Sequence, residues 1–296
     1  MGTLNQLVID WAQVSLLSLA TGFLYFEAGV LNLGNAGALL AGAYCVAFLG
    51  LGTVGWLPAV GLSFVVLVWL ASSSLRVRGD IFAVVSLALA EALRYTALGA
   101  YEVTKGSLGL GPLPSTWLST DAGAMFASLA VLVTVVAAYA WLVRGWPGLV
   151  LGTIRDNELV ARGMGFSTQT VRFLAVALCG LAAMASGWVQ AGYYGFAYPS
   201  MGRLEVSLMA FAAVKLASPF WRQGRPLWGI AGQLGGTAVI VALPPILRWT
   251  LPGSVDVALL RQIVFGSLLY VLVMPSDLFT RTFGTARLRA ARGGAA

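Results

Sequence analysis

Long apolar runs follow one another along the chain, broken by short joints rich in glycine, proline and polar residues. A helix that crosses a bilayer needs about 20 apolar residues in succession. On that measure the pattern predicts spans at Leu7–Tyr25, Ala36–Leu51, Trp56–Ala71, Ile81–Leu98 and Gly123–Val143, then at Val171–Ala191, Leu204–Ala217, Leu227–Leu247 and Ala258–Met274. That makes about nine spans, and the Pro and Gly interruptions widen the range to roughly eight to ten. Some runs are too short to cross unaided, as expected where helices break inside the membrane. The runs are continuous and do not alternate, which excludes a transmembrane β-barrel. The predicted fold is all-α: a polytopic transmembrane helical bundle with broken helices, filling residues 1–280 and followed by a basic tail at 281–296.

Composition agrees. Of 296 residues, 59% are hydrophobic and 10% charged, with a mean hydropathy of +0.85. A soluble domain carries about 25% charged residues, so most of this surface cannot face water. The chain contains no His, which removes the commonest general base and neutral metal ligand. Cys45 and Cys179 sit inside apolar runs without partner spacing and are read as packing residues. No GxxxxGK[ST] phosphate loop occurs, so ATP hydrolysis by that route is excluded. No metal site is expected.

The net charge of +7 is read as basic residues flanking spans. No Lys or Arg precedes Arg76, so no signal-peptide n-region is expected and the first segment is retained. Arg76 and Arg78 share one loop; Arg144, Arg155, Arg162 and Arg172 share the next but one. Arg222 and Arg225, then Arg281, Arg287, Arg289 and Arg292, complete the set. All fall on one side, which the positive-inside rule makes cytoplasmic, with the C-terminus inside and the N-terminus outside.

Polar residues inside apolar sequence are costly and carry most of the functional information. The first cluster, Glu27 to Gly37, includes Asn32, Gly34, Asn35 and Gly37. Asparagine and glycine weaken helix there, and a helix starting near Asn35 would offer backbone N–H groups to a carboxylate or carbonyl oxygen. A tight turn at the membrane surface is the equal alternative. The second cluster is Thr104 to Pro112, with Gly106, Ser107 and Gly109, in a loop spanning 99–122 near the outer face. Glu91 and Arg94, three apart on the fourth span, are expected to pair. Lys215 is expected to snorkel to the cytoplasmic interface. Small residues from Gly180 to Gly187 predict close helix–helix contact.

Segment 144–169 is the longest polar cytoplasmic stretch. Thr153-Ile154-Arg155-Asp156 has the form of a capping box, predicting a short helix that runs to Arg162 and stops at Gly163 and Gly165. Its polar face would carry Arg155, Asn157, Glu158 and Arg162.

Four segments together resemble the permease family of branched-chain amino-acid ABC importers. Leu31-Asn32-Leu33-Gly34-Asn35-Ala36-Gly37-Ala38 is similar to that family's N-terminal Asn/Gly signature. Arg76-Val77-Arg78-Gly79-Asp80, running on to Glu91 and Arg94, resembles its entry to the middle helix, and Thr104 to Gly109 the Gly-rich stretch that follows. Thr153-Ile154-Arg155-Asp156-Asn157-Glu158, with Gly163 and Gly165, looks like its coupling helix. The resemblance covers roughly residues 20 to 280 and implies an inner-membrane permease. Its implied partners are a second permease subunit, identical or homologous, two cytoplasmic ATPase subunits and an extracytoplasmic solute-binding protein. No cofactor is implied on this chain; ATP and Mg belong to the partner ATPases. Substrate would pass Asn32, Gly34, Asn35 and Gly37, with Gly106, Ser107 and Gly109 near the outer mouth. Thr153, Ile154, Arg155, Asn157, Glu158, Gly163 and Gly165 would couple to the ATPase. Branched-chain amino acids are the default solute; urea, amides and aromatic acids are alternatives. The chain departs from the family where a Gly-Gly turn is replaced by Ala213 to Pro219 with Lys215. The rival readings are an ion-coupled secondary transporter or channel, and a membrane scaffold that no longer transports.

Overall fold

The computed structural model describes residues 2–50, 65–66, 68–69, 71–72, 80–114, 117–221, 226–250 and 266–267. The predicted spans Trp56–Ala71 and Ala258–Met274 fall mostly outside the described residues, and Arg76, Arg78 and the tail 281–296 entirely so. Ten helices follow in order among the described residues. They are α1 (Gly2–Glu27), α2 (Asn35–Gly50), α3 (Asp80–Gly99), α4 (Tyr101–Thr104), α5 (Asp121–Arg144), α6 (Trp146–Asp156), α7 (Glu158–Gly163), α8 (Thr168–Tyr194), α9 (Leu204–Ala217) and α10 (Pro226–Thr250). Five carry stretches long and apolar enough to cross a membrane: Leu4–Glu27, Ile81–Gly99, Asp121–Arg144, Thr168–Tyr194 and Leu227–Ile246. Asn35–Leu49 is a shorter apolar helix. The fold is an all-α polytopic bundle.

Local chemistry accounts for the ends of these helices. Thr120 caps α5 by accepting from the Gly123 amide, Asp121 opens its first turn and Arg144 closes its last. That places negative charge at the positive end of the helix dipole and positive charge at the negative end. α8 stops at Gly195, whose φ of 71° is the left-handed conformation glycine adopts most readily.

Contacts group the chain into Met1–Ala242 and Leu243–Ala296. In the second group, residues 243–250 continue α10 and place Pro244 and Pro245 inside helix. The first group is built around α1, which packs on α5, α8 and α9. Leu16, Leu19, Phe23 and Leu24 of α1 meet Leu132 and Tyr139 of α5 and Val176 and Cys179 of α8. Lipid is as apolar as these side chains, so their association rests on close packing and on hydrogen bonds between helices. Gln13 supplies such bonds: its Nε2 donates to Ser128 Oγ of α5 over 3.4 Å, and its Oε1 accepts from Ser186 Oγ of α8. Ser15 Oγ lies 2.7 Å from Thr237 Oγ1, and Trp11 Nε1 donates to the Leu234 carbonyl over 3.0 Å.

α2 lies along α8, where the small-residue pattern predicted close approach. A Cβ on Gly187 would overlap the Leu39 carbonyl, and one on Gly42 would overlap the backbone of Met184. The two backbones touch, so neither position has room for a side chain.

Candidate functional site

The chain between α1 and α2 is not helical, although most of its residues are buried or half-buried. α1 closes with the Ala28 and Val30 amides both donating to the Leu24 carbonyl, at 3.1 and 3.0 Å. Gly29 between them takes φ +64°. Ala28, Val30, Asn32, Gly34 and Asn35 are buried. Asn35 Nδ2 donates to Thr21 Oγ1 over 2.9 Å. α2 therefore begins beside a residue six positions before the end of α1, about 9 Å back along the helix axis. Irregular backbone at membrane depth is tolerated only where protein satisfies its polar groups. Here side chains from two helices, and Asn32 of the joint itself, do so. Leu33 N–H donates to Ser86 Oγ of α3 over 3.1 Å, and Leu33 C=O accepts from Ser207 Oγ of α9 over 2.7 Å. Asn32 Oδ1 accepts from the Gly34 amide over 2.8 Å, and Asn32 Nδ2 donates to Asn35 Oδ1 over 3.0 Å.

The two asparagines are thus bound to each other and to α1. Gly37, one turn into α2, lies against α3: a Cβ there would come within 2.9 Å of Ala90 Cα. Beyond it, an apolar cavity of about 220 Å³ opens between α2 and α3, walled by Gly37, Tyr44, Leu93, Thr96 and Thr104 among others. It joins the first predicted cluster to the edge of the second. The second cluster itself stands apart from the asparagines, at the far end of α3. Gly106 and Gly109 are buried and Ser107 is exposed. Thr104 Oγ1 bonds the Ala97 and Ala100 carbonyls at 2.6 and 2.8 Å. Leu110 and Ala197 exchange backbone bonds of 2.8 and 2.9 Å, pinning this loop to the end of α8.

Arg94 Nη2 lies 2.8 Å from Glu91 Oε2. Glu91 Oε1 also accepts from the Leu204 amide over 3.0 Å, satisfying an orphan donor at the start of α9. Lys215, in the last turn of α9, is held by the end of α1. Its Nζ donates to Tyr25 Oη over 2.7 Å and sits 4.6 Å from the centre of the Tyr25 ring. The phenol is a nearer acceptor, and its ring attracts the ammonium. Behind it, Trp221 stacks on Phe26 at 4.3 Å and 7°.

The polar segment 144–169 corrects the capping-box expectation. Pro147 sits in the first turn of α6 and starts that helix well before Thr153. Thr153 therefore falls in the last turn, where its hydroxyl bonds the Leu149 carbonyl at 2.8 Å and caps nothing. Asn157 is the cap instead. Its backbone is extended, and its Oδ1 accepts from the Leu159 and Val160 amides at 3.0 and 3.3 Å, opening α7. The glycine stop holds: α7 ends at Gly163, and Gly165 takes φ +87°. Segment 146–167 is thus a helical hairpin, closed by buried Val150, Ile154 and Ala161 packed with Phe166 and Val171.

Glu158 anchors the hairpin to α8. It accepts from Arg162 and from Thr168 Oγ1, the latter over 3.3 Å, and lies 3.1 Å from Arg172 Nη2. Partial burial works to raise its pKa. Arg172, then Arg162 and Thr168, outweigh that and hold the carboxyl below its ordinary 4.5. Arg155 turns the other way: its Nη1 donates to the Phe26 carbonyl at the end of α1. Beside exposed Asp156, Asn157 and Arg162, the hairpin presents an apolar set outward. Trp146, Leu149, Leu159, Val160 and Met164 are all at least half exposed, Leu159 at 77%. Sequence spacing set Leu159 and Val160 off the polar face but did not single out Trp146, Leu149 and Met164.

A family model described as branched-chain amino acid transport system / permease component matches residues 4–279. The chain belongs to this family. The chain is 26% identical over 221 residues to the high-affinity branched-chain amino acid transport system permease protein LivM of Escherichia coli, covering 64% of this chain and 52% of LivM. It therefore spans about half the length of the LivM relatives it matches. It is also 27% identical over 239 residues to the autoinducer 2 import system permease protein LsrD of Klebsiella pneumoniae, covering 71% of this chain and 68% of LsrD. No solved structure matches the chain. With five helices long and apolar enough to cross a membrane, the chain is an integral membrane protein.

Proposed function

We propose that this chain is the transmembrane permease subunit of an ATP-driven ABC importer for a small polar solute, with branched-chain amino acids as the first candidate. The observation that carries the reading is the hairpin at 146–167, in a chain of the permease family. It is held by its own small core, tied to α8 through Glu158 and armed with an exposed apolar face. That face suits a cytoplasmic ATPase subunit. Thr153, Ile154, Arg155, Asn157, Glu158, Gly163 and Gly165 shape and anchor the hairpin. The protein would sit in the bacterial inner membrane, C-terminus inside, with a second permease subunit, two ATPase subunits holding ATP and Mg, and an extracytoplasmic binding protein.

The pathway is assigned to the non-helical joint after α1, with Asn32, Gly34, Asn35 and Gly37, and its outer end to Gly106, Ser107 and Gly109. A discontinuous segment at membrane depth is the usual place for a transporter to bind its solute. The apolar cavity beside Gly37 suits an aliphatic group. One relative is named for branched-chain amino acids and another for autoinducer 2, so the solute is tested directly. In proteoliposomes holding all subunits, leucine uptake is expected to require ATP. Uptake by this chain alone, abolished by collapsing an ion gradient, would establish a secondary transporter instead.

A further inference from the structure

We propose that Arg155 is a positioning residue that links the cytoplasmic hairpin to the end of α1 and the buried joint beyond it, without touching the ATPase. The inference rests on the importer reading and assigns one residue a different task within it. Spacing alone puts Arg155 on the polar face of the hairpin, beside Asn157, Glu158 and Arg162. The geometry puts its guanidinium elsewhere. Nη1 donates to the Phe26 carbonyl, 129 positions away, while Nε donates to Asp156 Oδ1 over 3.0 Å. Its side chain is only 24% exposed, against 62% for Asp156.

Two further observations converge on the same contact. Gly29 holds a left-handed backbone at φ +64°, and a Cβ there would come within 2.7 Å of Arg155 Cγ. The arginine stem is therefore laid across the first residues of the joint. The Glu27 carboxylate, 8% exposed, lies in the field of the same guanidinium. A cation at the C-terminal end of α1 also meets the negative end of that helix's dipole.

The contact connects elements that are otherwise far apart in the chain. The hairpin is covalently joined to α5 and α8. Arg155 adds α1, and from Gly29 the chain continues into Asn32 and Leu33, which are bracketed by Ser86 of α3 and Ser207 of α9. A push on the hairpin then reaches the joint through one charged hydrogen bond and one packed side-chain stem. Chains of packed side chains and hydrogen bonds of this kind can carry coupling between distant sites.

The test uses R155A, R155K, G29A and, as the contrasting surface variant, L159D. In the purified full-length permease, amide exchange over residues 28–34 is expected to quicken about tenfold in R155A, with R155K intermediate. In the complete importer, R155A is expected to retain its ATPase subunits on affinity purification, while solute-driven stimulation of ATP hydrolysis falls at least tenfold. G29A is expected to share that loss, and L159D to lose the ATPase subunits. Unchanged exchange at 28–34 in R155A would overturn the proposal. So would loss of ATPase association in R155A, which would make Arg155 a docking residue. Wild-type permease that binds no ATPase subunit would sink the importer reading, whereas the exchange result would still decide the link to α1.

Discussion

Removing the hydroxyl of Ser86 or Ser207 is expected to destabilise the protein far more than removing an ordinary helix hydroxyl. Leu33 lies outside any helix, so its N–H and C=O have no partners within their own segment. Ser86 Oγ accepts from the first at 3.1 Å, and Ser207 Oγ donates to the second at 2.7 Å. A hydrogen bond between membrane helices averages about 0.6 kcal/mol and reaches about 1.7, because the unfolded chain in the bilayer also finds partners. An unsatisfied buried backbone group costs about 1 to 3 kcal/mol. Each Ser→Ala change should therefore cost about 1 to 2 kcal/mol. The control is Thr134→Ala, whose hydroxyl bonds the Ala130 carbonyl inside the intact α5. That carbonyl keeps its helical partner, so less than about 0.5 kcal/mol should be lost. The assay is the thermal midpoint of purified protein in detergent, followed by near-ultraviolet dichroism. Both serine variants are expected several degrees below wild type, and Thr134→Ala within about one degree. If S86A and S207A melt with T134A, the joint is not held by these serines.

Further expectations bear on the hairpin and the helix crossing. Asn157→Ala removes the acceptor for the Leu159 and Val160 amides and should cost about 1 kcal/mol locally. Amide exchange confined to α7 should rise several-fold, with the span helices unaffected. Because Glu158 titrates below its ordinary 4.5 in the fold, its contribution is complete above that value and is lost as pH falls through the depressed one. Acid exposure should loosen the hairpin in the wild type, read as exchange at 158–163, while Glu158→Gln should be looser already at neutral pH and lack that acid step. Gly187→Ala places a methyl group against the Leu39 carbonyl and should cost about 1 to 3 kcal/mol by overpacking. Gly99→Ala, with open space around it, should melt within about a degree of wild type.

Spans and joints differ in how much of them is legible in sequence. Length and continuity of apolar runs locate α1, α3, α5, α8 and α10 to within a few residues, because lipid imposes one solvent along each whole helix. The small residues around Gly187 likewise announced a close crossing, since nothing else permits backbone contact. Asn32 and Asn35 marked the joint, yet which groups would satisfy it was hidden. Ser86, Ser207 and Thr21 are single hydroxyls in apolar runs, and only the folded chain brings them to Leu33 and Asn35. In the hairpin, Thr153-Ile154-Arg155-Asp156 fits a capping box locally, but Pro147 had already begun the helix. A local motif cannot report an earlier start. Arg155 and Lys215 share one cause: a long cationic side chain chooses its partner in three dimensions, here Phe26 and Tyr25 of α1.

The most direct measurement is site-specific photocrosslinking from Leu159 in native membranes that carry the assembled importer. A crosslink from this position to a nucleotide-hydrolysing subunit is expected, strengthened or weakened when ATP is added. A Leu159 that crosslinks only to the extracytoplasmic binding protein, or is labelled only by reagents added outside the cell, would contradict the assignment of the hairpin to the ATPase.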